Sequence, residues 1–159
     1  MSDTQCFILG SMLGKDLSGD ECQLFKNLGT VHDLQDGEVL IEEGKVDNSL
    51  HIVISGNLAV TRQTAGGEWL TLHILQQGEL AGALGFIDGQ EHSATLRAAG
   101  PTRVFSIERS KFESLLESQP SLVYRVMRAI IRGVHNTLRR MNMQQLELTN
   151  YITQQHGRY

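Results

Sequence analysis

The sequence predicts a mainly β fold with flanking α-helices: a small β-sandwich or barrel followed by one long C-terminal helix. Three observations support this fold class. Short apolar or alternating runs recur between residues 30 and 108, and glycine-containing turn signals separate them. The chain has 16 Gly and only 2 Pro, which suits many tight turns better than a helical bundle. Residues 120–155 contain only one Gly and no Pro after Pro120, as expected for a long helix.

Length and composition exclude several classes of protein. With 159 residues, 40% of them hydrophobic, the chain can form one domain with a buried core. No apolar run approaches the roughly 18 residues that span a bilayer, so no membrane partner is expected. Cys6 and Cys22 are too few for a secreted disulfide scaffold. The apolar stretch at residues 7–9 lacks the preceding basic residues of a signal peptide, so a cytoplasmic location is expected.

Charge is distributed unevenly along the chain. Residues 1–118 carry 8 basic and 17 acidic side chains, whereas residues 119–159 carry 6 basic and 1 acidic. The net charge therefore changes from −9 to +5 at the Gln119-Pro120 step. We expect a boundary there, with residues 1–118 forming the β-barrel and its N-terminal helix and residues 119–156 forming the long helix.

Capping signals predict a short helix on each side of the strand region. Ser18 is followed three residues later by Glu21, which is the spacing of a capping box. Ser110 and Glu113 repeat this spacing after the last strand, and Pro120 closes the second short helix and opens the long one.

Apolar residues along the long helix recur at alternating spacings of three and four, the pattern of a coiled coil. At about 1.5 Å per residue, such a helix extends roughly 50 Å, which exceeds the width of a small barrel. We therefore expect its far half to pair with a second copy in a parallel homodimer; the alternative is packing within one chain. The residues expected at the dimer interface are Met127, Ile130, Val134, Met141 and Leu148.

Several segments together resemble the cyclic-nucleotide-binding domain family, and most closely the sensor half of bacterial catabolite-activator-type (Crp/Fnr) regulators. These segments are Asp36–Gly44, Leu50–Gly56, Gly78–Gly82 and Gly89–Ala98, and the resemblance covers about residues 17–140. It implies a small double-stranded β-helix, the jelly-roll barrel of that family, with a long C-terminal dimerisation helix.

The resemblance also implies an effector site. In that family the segment matching residues 78–94 cradles a cyclic phosphate with backbone N–H groups at a helix N-terminus, an Arg and a Glu. This chain has Ala83 at the Glu position and His92 at the Arg position. Two lost hydrogen bonds to charged groups weaken binding by about two to four orders of magnitude. The residues implied at the site are Gly78, Glu79, Leu80, Ala81, Gly82, Ala83, His92, Ser93 and Ala94.

Arginines of the long helix offer a substitute for the missing positive charge. In the family this helix lies across the mouth of the pocket, and Arg125, Arg128 and Arg132 recur at helical spacing in its first turns. We take Arg128 and Arg132 as candidate effector ligands. The alternative is a solvated flank that complements the acidic barrel.

Other chemistries lack their sequence signatures. The histidines are isolated and no zinc-ligand spacing is present, two cysteines cannot hold an iron–sulfur cluster, and no catalytic motif occurs. We therefore expect no metal and no enzymatic activity. The chain stops at Tyr159, where the transcription regulators of the family continue into a helix-turn-helix, so direct DNA binding is not expected.

The sequence thus predicts a stand-alone regulatory sensor module. It would bind a cyclic nucleotide or another small anionic effector and signal through movement of the dimer helix to a partner protein. The alternatives are a ligand-free dimeric interaction scaffold and the sensor half of a truncated transcription regulator. Ala83 and His92 favour the scaffold or a new ligand, whereas Gly82, Ser93 and Ala94 favour some ligand.

Overall fold

Two facing antiparallel sheets form the body of the protein, and a long helix extends from it. The computed structural model describes residues 7–156. In chain order the elements are a 3₁₀ turn (Gly14–Asp16), α1 (Gly19–Asn27), β1 (Thr30–Leu34), β2 (Val39–Ile41), β3 (Ser49–Ser55), β4 (Leu58–Gln63), β5 (Trp69–Leu75), β6 (Leu80–Ala81), α2 (Ala83–Asp88), β7 (Thr95–Ala98), β8 (Thr102–Glu108), α3 (Arg109–Glu113) and α4 (Pro120–His156).

The strand order is that of a jelly roll. One sheet has the order β1-β8-β3-β6 and the other β2-β7-β4-β5, and every strand pairing within each sheet is antiparallel. The predicted mainly β class and jelly-roll topology are therefore confirmed. The strands of residues 7–156 form two separate four-stranded sheets, so the term sandwich describes them better than a closed barrel.

The two faces of the sheet that contains β3 and β8 pack in two different hydrophobic cores. Leu50 and Ile52 of β3, together with Phe105 of β8, pack with the helices. Val53 and Val104 of the same strands pack between the sheets, with residues of the second sheet. Since successive residues of a strand point to opposite faces, this pattern fixes the register of β3 against β8.

One of the two predicted capping boxes is present. Ser18 Oγ accepts a hydrogen bond from the backbone N–H of Glu21 at 3.3 Å, and Glu21 Oε1 accepts from the N–H of Ser18 at 3.2 Å. The expectation of a second box at Ser110 is wrong, because α3 already begins at Arg109. The N–H of Arg109 donates to the carbonyl of Asn48 at 2.9 Å, which holds the start of the helix directly after β8.

The first half of α4 belongs to the body of the molecule. Its buried residues Leu122, Val126 and Ile130 lie in the same core as α1 and α3, whereas every residue from 141 to 154 is exposed. Ile130, which the sequence places at the dimer interface, is fully buried within its own chain. The spacing of apolar residues alone did not distinguish the face that packs on the sheet from the face that remains open.

Two further expectations concern the sulfur chemistry and the membrane. Cys22 is buried in α1, and burial raises the pKa of its thiol, while Cys6 lies outside the described residues. Within residues 7–156, no helix combines the length and the apolar character needed to cross a bilayer.

Candidate effector site

The segment that the resemblance assigns to phosphate binding forms a compact strand–helix–strand unit. It consists of β6, α2 and the entry to β7, and we call residues 78–94 the cassette. Gly82 opens α2 with a φ of +76°, a left-handed conformation that favours glycine. A Cβ at this position would also lie 3.0 Å from the carbonyl oxygen of Ser49. Glycine is therefore required at residue 82 to let β6 turn into α2 against β3.

His92 closes the cassette against the loop that precedes β3. Its Nε2 lies 3.3 Å from the carbonyl oxygen of Asp47, and its ring lies over Gly85 of α2. The backbone holds it as well, because its N–H donates to the carbonyl of Lys45 at 3.0 Å and its carbonyl accepts from Gly44 at 2.9 Å. The side chain therefore joins the cassette to the loop before β3.

A buried polar chain, which the sequence analysis missed, continues from this contact. His51 is 4% exposed; its Nε2 lies 2.9 Å from Asp47 Oδ2 and its Nδ1 lies 2.6 Å from Ser106 Oγ. Burial alone would raise the pKa of the Asp47 carboxyl, but the hydrogen bond and charge of His51 lower it, and the net pKa lies below its usual value. This row of hydrogen-bonded side chains links β8 and β3 to the loop that contacts His92.

A groove of about 310 Å³ lies where α4 crosses the cassette. Glu79, Leu80 and Ala83 are the members of the predicted effector set that line it. Gly78, Ala81, Gly82, His92, Ser93 and Ala94 are not among its lining residues. The other residues lining the groove are Met12, Leu75, Leu84, Ile130, Gly133, Val134, Asn136, Thr137, Leu138, Arg140 and Met141.

Arg140 provides the positive charge of this groove. Its Nη2 donates to His73 Nε2 at 2.8 Å, and its Nη1 lies 3.8 Å from Glu79 Oε1. Burial, followed by the charge of Arg140, lowers the pKa of His73, which keeps its Nε2 able to accept the hydrogen bond. The other oxygen of Glu79 accepts from the N–H of Gln76 at 2.7 Å.

Sequence reasoning chose other arginines and overlooked Arg140. A signal was available, because Arg140 follows Gly133 by seven residues, or about two helical turns, and so lies on the same face of α4. Gly133 itself faces the body, where a Cβ would lie 2.9 Å from the methyl carbon of Met12.

The arginines selected from the sequence bind the N-terminal segment. Arg128 and Arg132 contact the two carboxylate oxygens of Asp16 at 3.3 and 3.0 Å. The hydrogen bond from Arg132 is the largest cause that lowers the pKa of Asp16. Arg125 forms two hydrogen bonds with the Glu21 carboxylate, one of them at 2.8 Å. These three side chains hold α4 to the 3₁₀ turn and α1, and none of them lines the groove.

No cluster of three or more His, Cys, Asp or Glu side chains that could hold a metal ion occurs in the part of the chain that the structure describes.

Comparisons with known proteins agree with this architecture. The family model of the cyclic nucleotide-binding domain matches residues 31–119. The cAMP-activated global transcriptional regulator CRP of Escherichia coli O157:H7 is 29% identical over 145 residues, which cover 90% of this chain and 69% of that protein.

Solved structures share the fold. A cyclic nucleotide-binding domain from Methylobacillus flagellatus KT has a TM-score of 0.84 at 21% identity, with 92% of this chain and 85% of that chain covered. The catabolite activator protein of Thermus thermophilus has a TM-score of 0.70 at 23% identity, with 86% and 64% covered. The family model spans more than half of the sequence, and the topology is that of its relatives; the chain belongs to the cyclic nucleotide-binding domain family.

Proposed function

We propose that this chain is a regulatory sensor that binds a small anionic effector between the cassette and α4 and signals by moving α4. The observation that carries the proposal is the groove, because one helix both forms a wall of it and continues beyond the body. Val134 and Arg140 lie at the groove, whereas residues 141–154 are exposed. If α4 can occupy two positions, an effector that binds the protein more tightly with α4 in one of them would shift the population towards that position.

The far half of α4 supports a homodimer as the route for the signal. Leu138, Met141, Leu148 and Ile152 are between 48% and 60% exposed. Their spacings of three, seven and four place them on one stripe of the helix, and Ile131 continues the stripe towards its start. A parallel pairing of two such stripes buries them. We propose residues 1–118 as the sensing unit and residues 119–156 as the dimer arm, with the first turns of the arm docked on the sensing unit.

Cyclic AMP is the first effector to test, because the E. coli relative is described as cAMP-activated. The phosphate cradle of this chain differs from the pattern of that family at Ala83 and His92, which is why the proposal names a small anion rather than a cyclic nucleotide. No catalytic role is proposed. The specific observation that favours a ligand-free scaffold is the His92 ring, which closes the cassette against the carbonyl of Asp47.

A ligand screen with a structural readout tests the sensor function. The full chain is titrated with cyclic mononucleotides, cyclic dinucleotides and small carboxylic acids by thermal shift and isothermal titration calorimetry. We expect at least one compound to bind and to change the distance between spin labels placed at residue 150 of the two helices. A matched variant, Gly133→Leu, fills the groove and should abolish binding while the dimer persists. A protein that no compound stabilises would support the scaffold.

A further inference from the structure

We propose that the effector is an amphiphilic monocarboxylate, an apolar body with one carboxylate, bound in the α4 groove with its carboxylate on Arg140. This assignment rests on the proposed sensor function and names the class of its ligand. It differs from recognition of a cyclic phosphate in the cassette, because the anion lies at α4 and not at the N-terminus of α2.

The cassette contains no Lys or Arg side chain to pair with an anion. Ala83 has no hydrogen-bonding group, and the ring of His92 is engaged with the carbonyl of Asp47 and lies over Gly85. Arg128 and Arg132 are held by Asp16 on another side of α4. Of the residues that line the groove, Arg140 is the one with a positive charge.

The groove is apolar over most of its surface. Eight of its lining side chains are large and apolar: Met12, Leu75, Leu80, Leu84, Ile130, Val134, Leu138 and Met141. Its polar lining side chains are Glu79, Asn136, Thr137 and Arg140, and Arg140 also contacts His73 outside the lining. Its volume of about 310 Å³ is at the lower limit for small-molecule pockets. A short apolar chain or ring fits such a surface, and a large polar ligand would leave its hydrogen-bonding groups unsatisfied.

Arg140 is held in position and retains donors for a ligand. The bond to His73 uses one of the five N–H groups of the guanidinium. The distance of 3.8 Å to Glu79 Oε1 is longer than a hydrogen bond. A carboxylate can therefore accept two parallel hydrogen bonds from the guanidinium. A single negative charge suits the surroundings of Arg140 better than a phosphate dianion, because the Glu79 carboxylate is already close by.

The test compares three probes of equal chain length on the full chain: octanoate, 1-octanol and octylammonium. Octanoate is expected to bind most tightly, and Arg140→Gln to weaken it by at least about tenfold, the value of a lost hydrogen bond between charged groups. Arg140→Lys, which keeps the charge, should restore part of the affinity. Arg139→Gln is the matched control, since its exposed side chain is the neighbour in sequence but does not line the groove. Its affinity should equal that of the unchanged protein.

The outcomes separate the ligand class from the sensor function. Equal octanoate affinity in the unchanged protein and in Arg140→Gln overturns the assignment, as does tighter binding of 1-octanol than of octanoate. Binding of cyclic AMP without binding of octanoate overturns the ligand class and leaves the sensor function standing. If none of the three probes binds, and neither does any cyclic nucleotide or small acid, both proposals fail. Circular dichroism of each variant confirms that it is folded before affinities are compared.

Discussion

The ring of His92 lies so close over Gly85 that a Cβ on residue 85 would be 2.7 Å from its Cε1 atom. Two residues that are seven positions apart, one in α2 and one before β7, therefore share one packing site. The same Cβ would lie 3.1 Å from the carbonyl oxygen of Asp47, to which the ring is bonded. The histidine at the family's arginine position thus depends on the glycine beneath it, and the cassette is closed by their contact.

We predict that Gly85→Ala destabilises the protein and that removal of the His92 ring reverses most of this effect. Alanine in a helix gains about 0.5–1 kcal/mol over glycine, but the overpacking costs about 1–3 kcal/mol. The net loss of unfolding free energy should be about 1–2 kcal/mol, measured by urea denaturation. In the His92→Ala background the same substitution should cost close to nothing.

Gly66→Ala serves as the control for this cycle, because a Cβ there meets only Thr64 Oγ1 at 3.9 Å. It should leave the urea midpoint nearly unchanged. A Gly85→Ala loss of equal size with and without the ring of His92 would show that the two residues do not share the site.

Acid sensitivity should depend on the contact between α1 and α4. Burial alone would raise the pKa of Glu21, but hydrogen bonds from Ser18 and Arg125 lower it, and the net pKa lies below its ordinary value. A carboxylate with a lowered pKa in the folded state stabilises above the unfolded pKa of about 4.3 and loses this effect as pH falls through the folded value. Glu21→Gln should therefore cost about 1–2 kcal/mol at pH 7.

The measurement is the free energy of unfolding of the two proteins from pH 7 to pH 2. The difference between them should persist down to about pH 4.3 and shrink below it. Asp20→Asn, in the same turn of α1, is the control and should follow the unchanged protein. A difference that grew on acidification would have the wrong sign and would refute the role of the charge.

A third prediction concerns the buried chain from Asp47 to Ser106. Asp47→Asn removes the charge that faces His51 and should lower the unfolding free energy by about 1–3 kcal/mol at pH 7, the value of a broken buried hydrogen bond to a charged group. Because the pKa of Asp47 is lowered in the folded state, this loss should also shrink in acid. Asp33→Asn breaks an exposed ion pair with Arg103 and should change stability little. Equal effects of the two substitutions would contradict the buried network.

The sequence predicted the parts of the fold that depend on local pattern. The turn glycines, the Ser18 capping box and the length of α4 are each determined by residues close together in the chain. The family resemblance also located the cassette, which forms one continuous segment. Ser110 was misread because α3 begins one residue earlier, at Arg109, whose backbone N–H donates to the carbonyl of Asn48, a residue distant in sequence.

The parts that could not be predicted depend on which elements meet. Arg140, His73 and Glu79 come from α4, β5 and the turn before β6, and no spacing in the sequence brings them together. The same limit applies to the apolar repeat of α4. Met127 and Val134 pack partly on the core of their own chain, so the repeat marks two adjacent faces of the helix with different partners.

The dimer prediction follows from this division of α4. Leu148→Glu places a charge on the exposed stripe beyond the groove, and a dimer contains two such sites. Loss of about 1.5–3 kcal/mol of apolar burial at each site should raise the dissociation constant of the dimer at least a hundredfold. Asn150→Glu adds the same charge to the opposite side of the helix and should leave the dimer intact.

Light scattering at tens of micromolar protein should give a monomer for Leu148→Glu and a dimer for Asn150→Glu. Ile130→Glu should instead unfold the body, since Ile130 is fully buried. A monomeric unchanged protein at this concentration would contradict the pairing of α4.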